Sequence, residues 1–250
     1  MRAPSSRHAS TRSTRAEYND KSDERTRSSA AAVIALRSGG AKVMSVVGRV
    51  EVTCPGCGRA SECELVQSVN SRTQPAMKAK LVAGELNVLA CDCGRRTQLA
   101  ATVLFHDPDA DFYCQVVPGG EPEMSKAAAL FRAAGATGTQ RLVPSPNALV
   151  EKVKILDAKL EDWAIEMAKL LLLAAADPDD LDRVMLFDRI EGDALHWILY
   201  DGAVPEAAKS PRSAYDRLAA RAQSRPSAQE LRIDRAWALG AVQRMIADGN

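Results

Sequence analysis

Six cysteines punctuate the chain, and four of them fall in two tight pairs. The first pair reads Val52-Thr53-Cys54-Pro55-Gly56-Cys57-Gly58. Two thiolates at this spacing converge on one ion only if the backbone between them turns sharply. Pro55 presets that turn, and Gly58 admits a positive φ that lets main-chain N–H groups face the sulfurs. The second pair, Ala90-Cys91-Asp92-Cys93-Gly94, is one residue tighter. Residues i and i+2 of a strand share a face, so both sulfurs can meet one ion where a strand ends. Cys54, Cys57, Cys91 and Cys93 are thus the expected ligands of a closed, tetrahedral four-thiolate site with no position left for water. Structural Zn2+ is the expected ion, and iron is the alternative, since four thiolates also suit it. Reduced packing cysteines and a redox C-x-x-C are the competing readings. The redox reading lacks the βαβ pattern it needs around Cys54. Cys63 and Cys114 sit in strand-like apolar runs and read as core filler, with replacement of Cys93 by one of them as the alternative.

Other chemistry is sparse. His106 lies in a turn beside Asp107 and is expected to hydrogen-bond across a hairpin. His196, next to Trp197, is expected to pack at a strand rim. Asp157, Glu161, Asp162 and Glu166 could be drawn as an acid/base or metal cluster. Glu166 with Lys169 and Glu151 with Lys154 have the spacing of solvated helix pairs, which is the preferred reading. There is no Ser/His/Asp set, phosphate loop or glycine-rich dinucleotide motif.

The elements that must carry these residues can be read coarsely. Val46 to Val52 alternates as a strand into the first cysteine pair, and Ser61 to Val69 reads as its partner. Pro75 to Leu81 is a short helix ended by Gly84, and Leu86 to Ala90 is a strand into the second pair. Thr97 to Phe105 and Phe112 to Val117 form a hairpin around His106-Asp107-Pro108-Asp109-Ala110-Asp111. Residues 121–144 read as a linker with one small helix, Ser125 to Ala134. Asn147 to Ala176 has helical periodicity, capped by Ser145 or Asn147, broken near Asp157 to Leu160 and ended by Asp177-Pro178. Val184 to Phe187 and Ala194 to Tyr200 read as a hairpin. Pro211 to Ala222 reads as a helix, Leu231 to Ile233 as a short strand, and Asp234 caps a last helix to Ile246. The expected fold is α+β: a zinc-ribbon-like, β-rich module with two cysteine knuckles over residues 46–120. The linker and a mixed helical and β-hairpin region over 145–250 follow it. The gap from Cys57 to Cys91 exceeds the roughly 15–20 residues of a simple zinc ribbon, so the spacing specifies the metal better than the fold.

Composition sets the outer bounds. The 250 residues are 46% apolar and 26% charged, ordinary for a chain with a sizeable core. Residues 1–45 carry nine Lys/Arg against four Asp/Glu, whereas residues 145–250 carry fourteen against eighteen. The basic character therefore lies in an Arg/Ser-rich tail expected to be disordered, with Met44 as an alternative start. The body lacks the bulk positive charge of a nucleic-acid binder, although Arg49, Arg59, Arg95 and Arg96 could form a local patch. The longest apolar runs are far short of the ~20 residues of a membrane span. Ala30 to Leu36 follows too long a polar stretch for a signal peptide. A reducing, cytoplasmic setting is expected, where paired cysteines bind metal rather than form disulfides.

Three strings resemble the bacterial and archaeal CpXC domain family: Cys54-Pro55-Gly56-Cys57-Gly58, Ala83-Gly84-Glu85-Leu86-Asn87 before Cys91, and Leu104-Phe105-His106-Asp107-Pro108. Arg141-Leu142-Val143 and Asn147 to Val153 resemble the segment that follows that domain, so the similarity spans roughly residues 46–245. One residue, Asp92, separates the second pair where the family usually has two. The resemblance implies a metal site and the module boundaries, and it implies no reaction class. The expected function is that of a zinc-stabilised, non-catalytic binding or adaptor protein. Its partner is expected to be another protein, with recognition carried by the C-terminal region. A nucleic-acid-binding zinc ribbon is the first alternative and a metal-dependent enzyme the second.

Overall fold

Alternation of half-buried valines with exposed polar residues makes β1 (Val47–Thr53) a one-faced strand, and it pairs antiparallel with β2 (Ala60–Val66). β3 (Ser68–Asn70) and α1 (Pro75–Val82) follow. A second small hairpin joins β4 (Val88–Ala90) to β5 (Arg96–Gln98), and a third joins β6 (Leu104–Asp107) to β7 (Phe112–Val116). Then come α2 (Glu121–Ala134), β8 (Thr139–Val143), α3 (Pro146–Asp157) and α4 (Asp162–Ala176). A meander of β9 (Val184–Glu191), β10 (Ala194–Tyr200) and β11 (Pro205–Pro211) precedes α5 (Arg212–Ala219) and α6 (Arg235–Ala247). This computed structural model describes residues 47–135, 137–200, 204–221, 225–227 and 229–247. The tail expected over residues 1–45 and the alternative start at Met44 lie outside them. The fold is mixed α+β, with six helices and four small sheets among the described residues. None of these helices is long and apolar enough to cross a membrane.

The four-stranded sheet has the order β3-β6-β7-β8, with a central antiparallel pair and a parallel strand on either side. Its buried face, Val69, Phe105, Cys114 and Val116, packs under Leu81 of α1 and Leu149 and Val153 of α3. A second core joins Trp163, Ile165 and Met167 of α4 to Phe187, Leu195 and Trp197 of the meander and Ala238 and Ala241 of α6. Trp197 meets Phe187 edge to face at 5.9 Å and donates to Ser210 Oγ at 2.9 Å.

Several elements differ from the sequence reading. Ser61 to Val69 splits into β2 and β3, and Thr97 to Phe105 into β5 and β6, because each run serves two sheets in turn. Residues 121–144 hold α2 and β8, and β8 hydrogen-bonds in parallel to β7. Its Arg141 and Gln140 hid it, since a strand buried among ion pairs carries no apolar alternation. β11 was masked by its prolines, which sit at the strand ends where no ladder donor is lost. The helix expected from Pro211 to Ala222 is shorter, Arg212–Ala219. Leu231 to Ile233 forms no strand; Leu231 accepts one bond, from Leu142 N–H at 2.8 Å. The helix break falls where expected, between Asp157 and Asp162, and Ser145 Oγ caps α3 by accepting from Ala148 N–H. Asp234 caps α6 through Trp237 N–H.

The main correction concerns charge. Glu151, Lys152, Glu166 and Lys169 are not solvated helix pairs: all four are buried. Lys152 Nζ lies 3.0 Å from Asp162, 3.3 Å from Glu166 and 3.0 Å from the Ile233 carbonyl. Lys169 donates to Glu151 at 3.0 Å and lies 2.9 Å from Glu166. Arg141 grips Asp162 with two nitrogens, at 2.7 and 3.0 Å. Glu151 also accepts from Phe187 N–H at 2.7 Å, tying α3 to β9, while Lys154 goes to Asp188 instead. Three cations thus meet three carboxylates. Burial alone would push the Asp162 carboxyl up; Lys152 and Arg141 outweigh it and hold the group well below its ordinary range. Deleting one member strands its partners in a dry site. Lys152→Met is therefore expected to cost about 3–5 kcal/mol in denaturant unfolding. Arg49→Ala, at the exposed pair with Glu64, should leave the midpoint unchanged.

Candidate metal centre

The two small hairpins bring the cysteine pairs together at their turns. In the first, Cys54 N–H donates to the Arg59 carbonyl at 2.8 Å and Gly58 N–H to the Cys54 carbonyl at 2.9 Å. In the second, Cys91 N–H donates to Arg95 and Gly94 N–H to Cys91, both at 2.9 Å. The same two bonds close both turns, and the second loop is one residue shorter. Gly58 (φ 73°) and Gly94 (φ 85°) take the left-handed conformation that the closure requires. β4 ends at Ala90, so Cys91 and Cys93 belong to the turn rather than to a strand face. That is how a one-residue spacer still aims both sulfurs the same way.

All four sulfurs lie within 4.8 Å of one another. The contacts run across the turns, Cys54 to Cys93 at 3.7 Å and Cys57 to Cys91 at 3.6 Å. A disulfide would need about 2.05 Å, and all six cysteines are free. A metal–sulfur bond of about 2.3 Å gives a tetrahedral edge of roughly 3.8 Å, so the donor set fits a thiophilic ion. The N–H groups of Gly56 and Cys57 pull the buried Cys54 thiol down to about 6. At Cys91 the Cys93 N–H also favours the thiolate, but the neighbouring Cys54 and Cys93 sulfurs hold it protonated and shift it upward. Four crowded sulfurs cannot all ionise without a cation among them.

The surroundings are built for this approach. A Cβ on Gly56 would meet Arg95 Cδ at 2.9 Å and the Cys93 sulfur at 3.6 Å, so the two turns touch here and a side chain at position 56 would displace that of Arg95. Arg59 of the first turn pairs with Asp92, the one residue between the second pair. At the far end of the hairpins Asn87 takes a left-handed φ of 55°, and its side chain accepts from Val66 N–H at 2.8 Å and donates to the Val66 carbonyl at 2.9 Å. Sequence reasoning met Asn87 only as part of a family string; an asparagine one residue ahead of a strand was the available signal.

The remaining candidates are dispersed. Cys114 is fully buried in the sheet core, and burial pushes its thiol up to about 12. Cys63 is half-buried and belongs to no core cluster, so it is not core filler. Neither joins the cysteine cluster, and Cys93 does. His106 stacks on its cross-strand neighbour Tyr113 at 4.2 Å rather than hydrogen-bonding to it; its Nδ1 lies 3.4 Å from Asn70. His196 is buried, with Nε2 3.2 Å from Glu191. Asp162 and Glu166 belong to the ion network, Asp157 pairs with Lys78, and Glu161 accepts from Trp163. Two of the four carboxylates thus share one ion network and the other two have partners outside it, and the cysteine cluster is the one metal-capable group among the described residues.

The family model of the CpXC proteins matches residues 52–169. These residues belong to the CpXC family. The match begins just before Cys54, covers both cysteine pairs and ends inside α4, well short of residue 245. The CpXC portion therefore includes the four-stranded sheet and α3, while the meander, α5 and α6 lie beyond it. No curated protein and no solved structure matches the chain.

Asn87 holds the two hairpins together opposite the cysteines. Asn87→Ala removes two bonds to Val66 and leaves a non-glycine residue at positive φ with no compensating contact. A loss of about 2–3 kcal/mol is expected in thermal or denaturant melting.

Proposed function

We propose that this protein is a metal-stabilised, non-catalytic binding or adaptor protein in which Cys54, Cys57, Cys91 and Cys93 hold one Zn2+. The observation that carries the reading is the convergence of four sulfurs from two glycine-closed turns within 4.8 Å. With four thiolates in place the ion's coordination is filled, and what it supplies is folding free energy rather than a bound, activated water. The pair of knuckled hairpins is ribbon-like in this sense. Iron would fit the same sulfurs, and metal analysis separates the two. A reducing compartment such as the cytoplasm keeps such thiolates available. A protein is the preferred partner: of the arginines beside the turns, Arg59 is already paired with Asp92, which weakens a nucleic-acid footprint.

Elemental mass spectrometry of the purified full chain, beside a Cys91→Ser variant, tests the reading. One zinc per chain is expected in the parent. The variant should lose the metal, and the melting transition of the cysteine module should move to lower temperature. Chelation of the parent should shift the transition the same way. A metal-free parent with the same melting profile as Cys91→Ser would refute the site.

A further inference from the structure

The two cysteine hairpins are each two-stranded, so their outer edges are open, and hydrogen-bond parity shows which residues present the edges of β2 and β4. Cys54 N–H bonds to Arg59, so residues 54 and 59 form a hydrogen-bonded pair. Two-residue steps along the register make Ser61 and Cys63 the residues whose main-chain groups turn toward β1. Glu62, Glu64 and Val66 therefore turn theirs outward. In the second hairpin Leu99 N–H bonds to Asn87 and Cys91 N–H to Arg95, so Val88 and Ala90 turn theirs away from β5. The Asn87 side chain occupies the Val66 groups. Those of Glu62, Glu64, Val88 and Ala90 have no hydrogen-bond partner among the described residues.

These two edges border one cleft of about 280 Å³, lined by Arg59, Glu62, Glu64, Val88, Ala90 and Cys91 among others. The Asn87 clamp closes one end and the cysteine turns the other. The volume is below the ~300–1,000 Å³ of typical small-molecule sites. What the walls offer is main-chain donors and acceptors, the recognition chemistry of an added strand. The charge balance is acidic, because Arg59 is already paired with Asp92 and Glu62 and Glu64 remain. Glu62 stands directly opposite Glu51 in the register, and neither has an ion-pair partner among the described residues. Glu64 reaches Arg49 only at 3.8 Å. Like charges opposed across a strand pair are unfavourable, and an incoming cation relieves them. Cys63 and Leu99, which also line the cleft, offer apolar surface.

We propose that this cleft binds a short extended segment of a partner protein. Its main chain pairs with the outward groups of β2 and β4, its Lys or Arg side chains meet Glu62 and Glu64, and its intervening small apolar residues meet Cys63 and Leu99. The inference deepens the binding role proposed above and rests on it, because the cysteine centre holds one end of the cleft. It places recognition in the metal module rather than in the C-terminal region.

The test uses the full, zinc-loaded chain and a fluorescein-labelled peptide, Lys-Val-Lys-Val-Lys-Val, followed by anisotropy. Saturable binding is expected. N-methylation of alternate peptide amides removes the edge donors without removing charge and should weaken binding at least tenfold. A Glu62→Gln, Glu64→Gln double variant should weaken the unmodified peptide at least fivefold without lowering the melting temperature. Equal binding of the N-methylated peptide would mean general charge attraction, equal binding by the double variant would mean that Glu62 and Glu64 do not meet the peptide, and either would overturn the proposal. So would absence of binding by a chain that carries its metal. Metal content and melting are measured on the same samples, so a chain that never holds zinc marks failure of the underlying reading instead.

Discussion

The convergence of two hairpin turns on one point is the constraint around which the CpXC portion is arranged. A two-stranded hairpin alone is marginal in water. Here β1 and β2 pack extensively only on each other, and so do β4 and β5. Neither hairpin buries a face against a helix broadly enough to hold it by hydrophobic contact. They are joined instead at their ends, by the Asn87 side chain at one and by the cysteine turns at the other. Side-chain hydrogen bonds of ordinary strength hold the first joint. The second joint needs a cation, because four sulfurs at these distances repel as thiolates and contribute little as thiols. An ion held there would turn two weak hairpins into one frame.

The rest of the chain coheres by a different device. α3 is a wall shared by two cores. Leu149 and Val153 face the four-stranded sheet, while Glu151, Lys152 and Ile155 are buried toward α4 and the meander. The helix buries charge on one side because it is covered there too. Three cations and three carboxylates with main-chain partners satisfy one another, so the desolvation cost is offset by mutual attraction and by bonds to Phe187 and Ile233. Such a network tolerates few alternative alignments of β8, α3, α4 and β9, and this supports one register among elements far apart in sequence.

The two devices differ in how legible they are. A metal knuckle is written locally: cysteine, a turn-forming Pro55 or Gly56, and Gly58 or Gly94 within a few residues. The turn chemistry that aims the sulfurs is the same chemistry that marks them, so the clustering of the four cysteines could be read without knowing the fold. The second knuckle was recognisable although its closing geometry was not, because a turn and a strand end both place Cys91 and Cys93 side by side. The ion network had no such signature. Glu166 and Lys169 have the same spacing whether their helix face is wet or covered, and periodicity reports only the apolar stripe. β8 escaped for the same reason: Gln140 and Arg141 are buried polar residues, and the partners of Arg141 lie at Asp162 and Glu230. Non-local pairing, rather than composition, decides such elements.

This division also bears on how the proposed binding could work without a deep pocket. Hydrophobic burial is concentrated under α1 and α3 and around α4, leaving the cysteine hairpins with their edges open. Exposed strand edges are a hazard for aggregation unless they are short, charged or covered. β2 carries Glu62 and Glu64 on its outer face, and β4 is only three residues long. Both features discourage open-ended pairing with another sheet, while the clamped ends limit the length of any strand that enters. The edges are thus protected against unlimited addition and left competent for a short, oppositely charged one. A cation held by the four sulfurs would fix the separation of those edges and so link folding of the module to that proposed role.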